Sequence, residues 1–352
     1  MSERAEALLI SPVQPSSTGS GLAQRAFQWL VSLAAEYAVT LLVIDDVPAP
    51  QVLPQPLAAL ACRVDFVSSA ALPLYGQPFA RCVVLRIRMH RVAQAIRRKH
   101  AIPDVVLDMD DLESATLRSI AVFALRRGRV RLAVRSAVEA VRSYLLERYL
   151  PRFYSRICVA NPEDLRRLPR GASEFCLPNR VALARRPEIA STSCVPTLAF
   201  IGTFSYFPNE DAALWIATEI IPRLRARLPR PFRVVIAGRY ASVRLRTRLA
   251  LVPEIEFAGE IESVDGLYRE AHVALVPVRC GGGTKVKALE AVAFHCPIVA
   301  THHAMRGLGL RPGVDYLGAD TAQGIAEASA SLLLRPAHAL ALAGSARQRA
   351  AG

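Results

Sequence analysis

The sequence predicts an α/β protein of two domains built on parallel sheets, and three observations carry that prediction. Its 352 residues exceed what one ordinary hydrophobic core holds. In the second half, short apolar runs at 198–201, 234–237, 255–258, 273–276 and 298–301 alternate with helix-like patterns, the rhythm of a parallel sheet covered on both faces. Near the start, an apolar run, a polar glycine loop and a helix pattern follow one another, the order that opens a Rossmann-like unit. A hydrophobic content of 52% excludes a disordered chain.

Residues 7–10 read as a buried first strand ended by Ser11 and Pro12. The loop 14–21 carries Gly19 and Gly21, and the following helix buries Ala26, Trp29, Leu30 and Leu33. Residues 39–44 form a second strand ending at Asp45 and Asp46, and prolines between 48 and 56 mark irregular connections. Residues 86–100 look helical and basic. The run 105–109 is a further strand whose end carries Asp108, Asp110 and Asp111, where ligand groups gather in open α/β sheets. Asp108-Met109-Asp110 also fits a two-carboxylate cation site, since residues i and i+2 of a strand point the same way. The rival reading makes residues 110–114 the cap of the next helix.

Between 118 and 152 the pattern is a long basic amphipathic helix or helix pair. Ile120, Phe123, Ala124, Leu132, Val138, Val141, Leu145 and Tyr149 form its apolar set among many arginines. Such a face either packs on a core with its arginines solvated or lies on anionic lipid. Residues 157–160 and 175–177 are the last strands of the first domain, and 183–196 is the linker. The expected domains are therefore 1–182 and 197–352.

In the second half, the stretch 280–297, CGGGTKVKALEAVAFHCP, places three glycines between the strand at 273–276 and a helix with Val286, Leu289 and Ala293 on its apolar face. Glycine lets backbone approach a ligand closely, and a helix start offers unpaired amides and a positive dipole end, so anions bind there. Lys285 and Lys287 add charge, and Glu290 one turn on is placed to accept from sugar hydroxyls. Neither a P-loop nor the Gly-x-Gly-x-x-Gly fingerprint fits.

This segment, with PIVAT at 297–301 and Arg306-Gly307-Leu308, resembles the nucleotide-sugar site of GT-B glycosyltransferases, specifically family 4 (group 1). FIG at 200–202, PNEDAA at 208–213, Trp215, IAGR at 236–239, FAG at 257–259 and PNRV at 178–181 extend the likeness. It implies two Rossmann-like domains facing a central cleft, the first for the acceptor and the second for a nucleoside-diphosphate sugar. Carried over, Glu290 accepts the ribose hydroxyls and Gly282, Gly283 and Thr284 offer amides to the diphosphate. Lys285 and Lys287 steady the leaving charge without a metal, and Gly202, Gly238 and Arg239 join the donor set. Gly19 and Gly21 face the acceptor and phosphates. Retention is implied, with no cofactor; Asp108 or Asp110 is the candidate if a protein base is used.

Two departures stand out. The loop 203–208 has no basic residue where many relatives carry an arginine and a lysine, and Gly282 stands where they carry a second glutamate. Rival readings are a GT-B-fold nucleotide-sugar epimerase and a non-catalytic binding protein of the same fold. His302 and His303 follow the strand at 298–301 and read as structural.

Lysine and arginine number 44 against 30 acids, a net +14, which favours an anionic partner. Aromatics do not interleave with the basic runs, which excludes a nucleic-acid stacking platform. Seven cysteines without metal spacing read as reduced thiols, and neither a signal peptide nor a membrane span is expected. These features point to a cytoplasmic protein, peripheral at the inner membrane face, and the family resemblance implies a saccharide, lipid-linked or small-molecule acceptor in polysaccharide or glycolipid assembly.

Overall fold

A computed structural model describes residues 4–44, 55–67, 72–76, 78–168, 173–179, 195–261, 263–283 and 285–351. Asp45, Asp46, Arg180, Cys194, Thr284 and most of the expected linker lie outside the described residues. The chain divides into two compact units, Met1–Ala121 with Arg129–Asn179, and Val122–Gly128 with Arg180–Gly352.

The first unit holds β1 (Glu6–Ser11), β2 (Ala38–Ile44), β3 (Arg63–Val67), β4 (Arg81–Leu85), β5 (Asp104–Asp110), β6 (Arg156–Val159) and β7 (Ser173–Cys176). They form one parallel sheet in the order β3-β2-β1-β4-β5-β6-β7. Alternate side chains feed two cores: Leu8, Ile10, Leu42, Val84 and Leu107 pack on one face, and Ala7, Leu9, Leu41, Val43, Val83 and Val106 on the other. A strand buried on both faces reads as an unbroken apolar run, which is why β1, β2 and β5 are visible in the sequence. β3 is not, because its residues are exposed or half-buried and include Arg63 and Asp65.

The second unit holds β8 (Thr197–Ile201), β9 (Arg233–Ala237), β10 (Ile255–Gly259), β11 (Val273–Val276), β12 (Ile298–Ala300) and β13 (Leu317–Gly318). Their parallel order is β10-β9-β8-β11-β12-β13. One core runs from Leu198 and Phe200 through Trp215, Ile236 and Leu275 to Leu333 and Leu342. The last helix, Pro336–Ala351, packs on this unit: Arg347 donates to the Ala293 carbonyl at 2.5 Å, and Ser345 and Arg349 hold buried Asp315. Strand order reverses between β1 and β4 in the first unit and between β8 and β11 in the second, and crevices for ligands open at such switch points.

The carboxyl ends of β8 and β9 approach one another closely. Gly238, at φ 143°, lies so near Gly202 that a Cβ there would sit 1.8 Å from the Gly202 oxygen, and a Cβ on Gly202 would strike Asn209 at 2.8 Å. Glycine at both positions is thus set by backbone and by Asn209. We predict that Gly238→Ala costs about 2–3 kcal/mol or more, from overpacking on a backbone conformation open only to glycine. Thermal unfolding checks this, and a variant that melts with the parent would contradict the close approach.

Candidate functional site

The glycine turn lies at the switch point of the second unit, between β11 and the helix Val286–Ala293. Gly281 and Gly283 adopt left-handed φ of 94° and 71°. Tyr206, from the loop after β8, covers Gly281 so closely that a Cβ would lie 2.4 Å from its hydroxyl. Gly282 and Gly283 are half-buried, and among the described residues their amides donate to no protein acceptor. Their carbonyls instead accept from the Lys285 ammonium at 2.5 and 3.0 Å. No side chain caps the helix start. The turn therefore presents amides and positive charge together, the chemistry of an anion-binding nest.

Lys287, in the first helical turn, reaches toward β8: its ammonium donates to Asn209 Oδ1 at 2.7 Å and lies 4.5 Å from the Phe200 ring centre. Burial, aided by the nearby Lys285, pushes its pKa down to about 7, against the opposing pull of Glu290. Glu290 is 4% exposed on the next turn. The Tyr268 hydroxyl donates to the Lys287 carbonyl at 2.9 Å and ties the turn down.

Arg279, not singled out from sequence, and the PNEDAA segment hold the turn in place. Arg279 makes a two-pronged pair with Asp211 at 2.9 and 3.0 Å and stacks 4.1 Å over Trp215, so the loop after β11 is bound to the helix after β8. Asp211 and Trp215 stand at i and i+4, one helix face, which is the signal that points to such a clamp. Asn209 both supports Gly202 and receives Lys287.

His303 Nε2 lies 3.0 Å from the Gly281 carbonyl. Burial, with Lys285 and Arg306 nearby, pushes its pKa down to about 4, so the ring is neutral near pH 7 and donates that bond. His302 pairs with Asp320 at 3.0 Å and is half exposed. Arg239 lies 3.5 Å from Glu260 at the surface.

In the first unit, Asp108 does not suit the part of base or metal ligand. It is fully buried, and each oxygen accepts two bonds: Oδ2 from Arg25 Nε at 2.6 Å and Trp29 Nε1 at 2.5 Å, Oδ1 from Arg25 Nη2 at 2.9 Å and the Asp110 amide at 2.8 Å. A carboxylate offers about four acceptor positions, and all are filled. Arg25, 1% exposed, also donates to the Leu177 carbonyl and to Asn179. It lies one turn before Trp29 on the buried helix face, but its carboxylate partner is 83 positions away, so nothing local in the sequence signals the pair.

Asp110 is differently placed. The sheet register slips between Asp108 and Asp110, and Asp110 sits at φ 61°, a left-handed conformation uncommon for non-glycine residues, though aspartate reaches it more readily than most. Asn179 donates to it at 3.1 Å and Arg86 lies 3.3 Å away. Burial raises its pKa against the pull of Arg86 and Arg25. Arg86, at φ 70° after β4, also pairs with Asp111. Gly19, at φ 92° and exposed, leads into the helix Gly21–Ala34, whose Ser20 cap accepts from the Ala23 amide at 3.2 Å. Asp110, Arg86 and the Gly19–Gly21 loop lie at the carboxyl ends of β5, β4 and β1.

Residues 195–335 match the family model described as "Glycosyl transferases group 1". The chain has no match among curated proteins. Solved structures resemble it over nearly its whole length. Sucrose-phosphate synthase from Thermosynechococcus elongatus is 18% identical with a TM-score of 0.73, covering 99% of this chain and 94% of that one. HepE from Anabaena, in complex with UDP and glucose, is 12% identical at 0.65, covering 99% and 95%. The α,α-trehalose-phosphate synthase (UDP-forming) from Burkholderia xenovorans, in complex with glucose-6-phosphate, is 13% identical at 0.65, covering 98% and 96%. The fold is GT-B: two parallel-sheet α/β units of the kind these glycosyltransferases share.

The Arg25–Asp108 pair gives a direct test of its structural role. Arg25→Met strands a buried carboxylate and is expected to cost about 3–5 kcal/mol, while adding Asp108→Leu recovers much of that loss. Denaturant unfolding reads both. A neutral Arg25→Met would contradict the assignment.

Proposed function

We propose that this protein is a glycosyltransferase of family 4 that moves a sugar, a hexose in our reading, from a nucleoside-diphosphate donor to an acceptor hydroxyl with retention of configuration. The observation that carries the proposal is the half-buried glycine turn at a helix start, its carbonyls on the Lys285 ammonium, with Lys287 in the first helical turn and a buried carboxylate one turn on. That unit matches the group 1 glycosyltransferase model, and structural neighbours hold UDP, UDP-glucose and glucose-6-phosphate.

In this reading Gly282, Gly283 and Thr284 amides receive the diphosphate, Lys285 and Lys287 balance it, and Glu290 accepts from the ribose hydroxyls. The bond from the anomeric carbon to the diphosphate oxygen breaks with its electron pair leaving on that oxygen. Negative charge grows there, so preorganised amides and ammonium groups lower the barrier, and no metal is required of them. The acceptor oxygen bonds to the same carbon, and its proton passes to the departing phosphate. Asp110 is the group to hold that proton if the protein supplies a base, since its raised pKa and strained backbone fit such work. Assembly of a polysaccharide or glycolipid is the pathway we assign.

Titration with UDP and GDP is expected to give saturable binding to at least one, weakened about tenfold or more by Glu290→Ala through loss of charge-assisted hydrogen bonds. Equal binding by parent and variant would move the ribose elsewhere. Lys287 gives a second test. Its lysine is protonated below about 7 and increasingly neutral above, and a bound diphosphate favours the protonated form. Affinity should therefore fall as pH rises from 7 to 9, by up to about tenfold per unit. Calorimetry at pH 8.5 in buffers of different ionisation enthalpy should detect proton uptake that vanishes in Lys287→Met. PH-independent affinity in the parent would remove Lys287 from the site.

A further inference from the structure

The helix Val130–Tyr149 turns an apolar stripe outward. Its buried residues are Ala133, Ser136, Ala140, Ser143 and Glu147, all small or polar, and Glu147 accepts from the Ser114 amide at 2.9 Å and from the Ser114 hydroxyl. The large apolar residues face solvent instead: Val134, Val138, Val141 and Leu145 are each 53–60% exposed. At 100° per residue these four, with Val130 and Tyr149, share one stripe nearly opposite the buried face. A helix on a soluble domain normally does the reverse. The sequence pattern alone allowed a core face here; burial shows that Val138, Val141, Leu145 and Tyr149 are not core.

The stripe runs along 20 residues, about 30 Å of helix. Arg131, Arg135 and Arg142 border one side of it and Arg148 the other, and Arg148 and Arg152 lie 5.7 and 4.1 Å over the rings of Tyr144 and Tyr149. The charge pattern selects the occupant. A second copy would set these arginines against their own kind. Nucleic acid would meet valine and leucine where a stacking platform needs aromatic rings. An anionic bilayer offers acyl chains to the stripe and phosphates to its borders, with tyrosines at the level where aromatic rings settle. Among the described residues no helix is long and apolar enough to cross a membrane, so contact of this kind would be by lying on the surface.

We propose that the outward stripe of the helix Val130–Tyr149 is a lipid-binding face that seats the protein on an anionic membrane surface. The proposal stands apart from the transferase reading, because it needs neither donor nor turnover.

The full chain should sediment with vesicles of phosphatidylcholine and phosphatidylglycerol in equal parts at low salt, and stay in solution with phosphatidylcholine alone. Val141→Glu combined with Leu145→Glu changes only exposed positions, so it should keep the parent's thermal midpoint and nucleotide binding while losing vesicle partitioning by about tenfold or more. Arg131→Glu with Arg135→Glu should remove the salt-sensitive part of binding. Four results would overturn the proposal: no sedimentation with the anionic vesicles; equal partitioning by the Val141→Glu/Leu145→Glu variant; a parent dimer that this variant converts to monomer; or tighter binding to a duplex oligonucleotide than to vesicles, unaffected by the variant.

Discussion

Everything at the candidate site depends on positive charge held near a helix start, with backbone and amide oxygens among its partners. Lys285 rests on two glycine carbonyls and Lys287 on the amide oxygen of Asn209, in surroundings dry enough to push the second ammonium down to about 7. The helix dipole adds to that charge. Such an arrangement is costly for the empty protein and favourable once an anion arrives. The rest of the unit works to keep it in shape: His303 bonds the Gly281 carbonyl, Tyr206 covers that glycine, and the Arg279–Asp211 clamp fixes the loop between them.

The first unit handles buried charge in the opposite way. Arg25 and Asp108 satisfy one another and recruit Trp29, Leu177 and Asn179, so the pair fixes where β5, the helix Gly21–Ala34 and the end of the unit meet. Strain is then concentrated next door, at Asp110 and Arg86, both left-handed and both at strand ends. A fully bonded anchor thus lies beside a strained, buried carboxylate.

Much of this was legible in the sequence. Strands buried on both faces announce themselves as apolar runs, so β1, β2, β5 and most strands of the second unit could be placed, and the glycine turn followed from β11 handing over to a helix. What escaped did so for physical reasons. β3 and the two-residue β13 are at sheet edges and carry no continuous apolar run, and the central β4, buried at 82–85, is short and sits between the prolines at 73 and 78 and the basic run from 86. Arg25 is invisible as a core residue because its partner lies 83 positions away. Gly202 and Gly238 match a donor-site motif, yet the Asn209 side chain at the first and the Gly202 backbone at the second already demand glycine. The orientation of the helix Val130–Tyr149 could not be read from periodicity, since an amphipathic pattern gives two faces without saying which one the protein covers.

The most direct test of the central claim is a crystal structure of the chain with UDP or GDP bound. The account predicts the diphosphate within hydrogen-bond distance of the Gly282 and Gly283 amides, and a ribose hydroxyl on Glu290. A nucleotide seated away from the helix Val286–Ala293, with that turn and Glu290 making no contact to it, would contradict it.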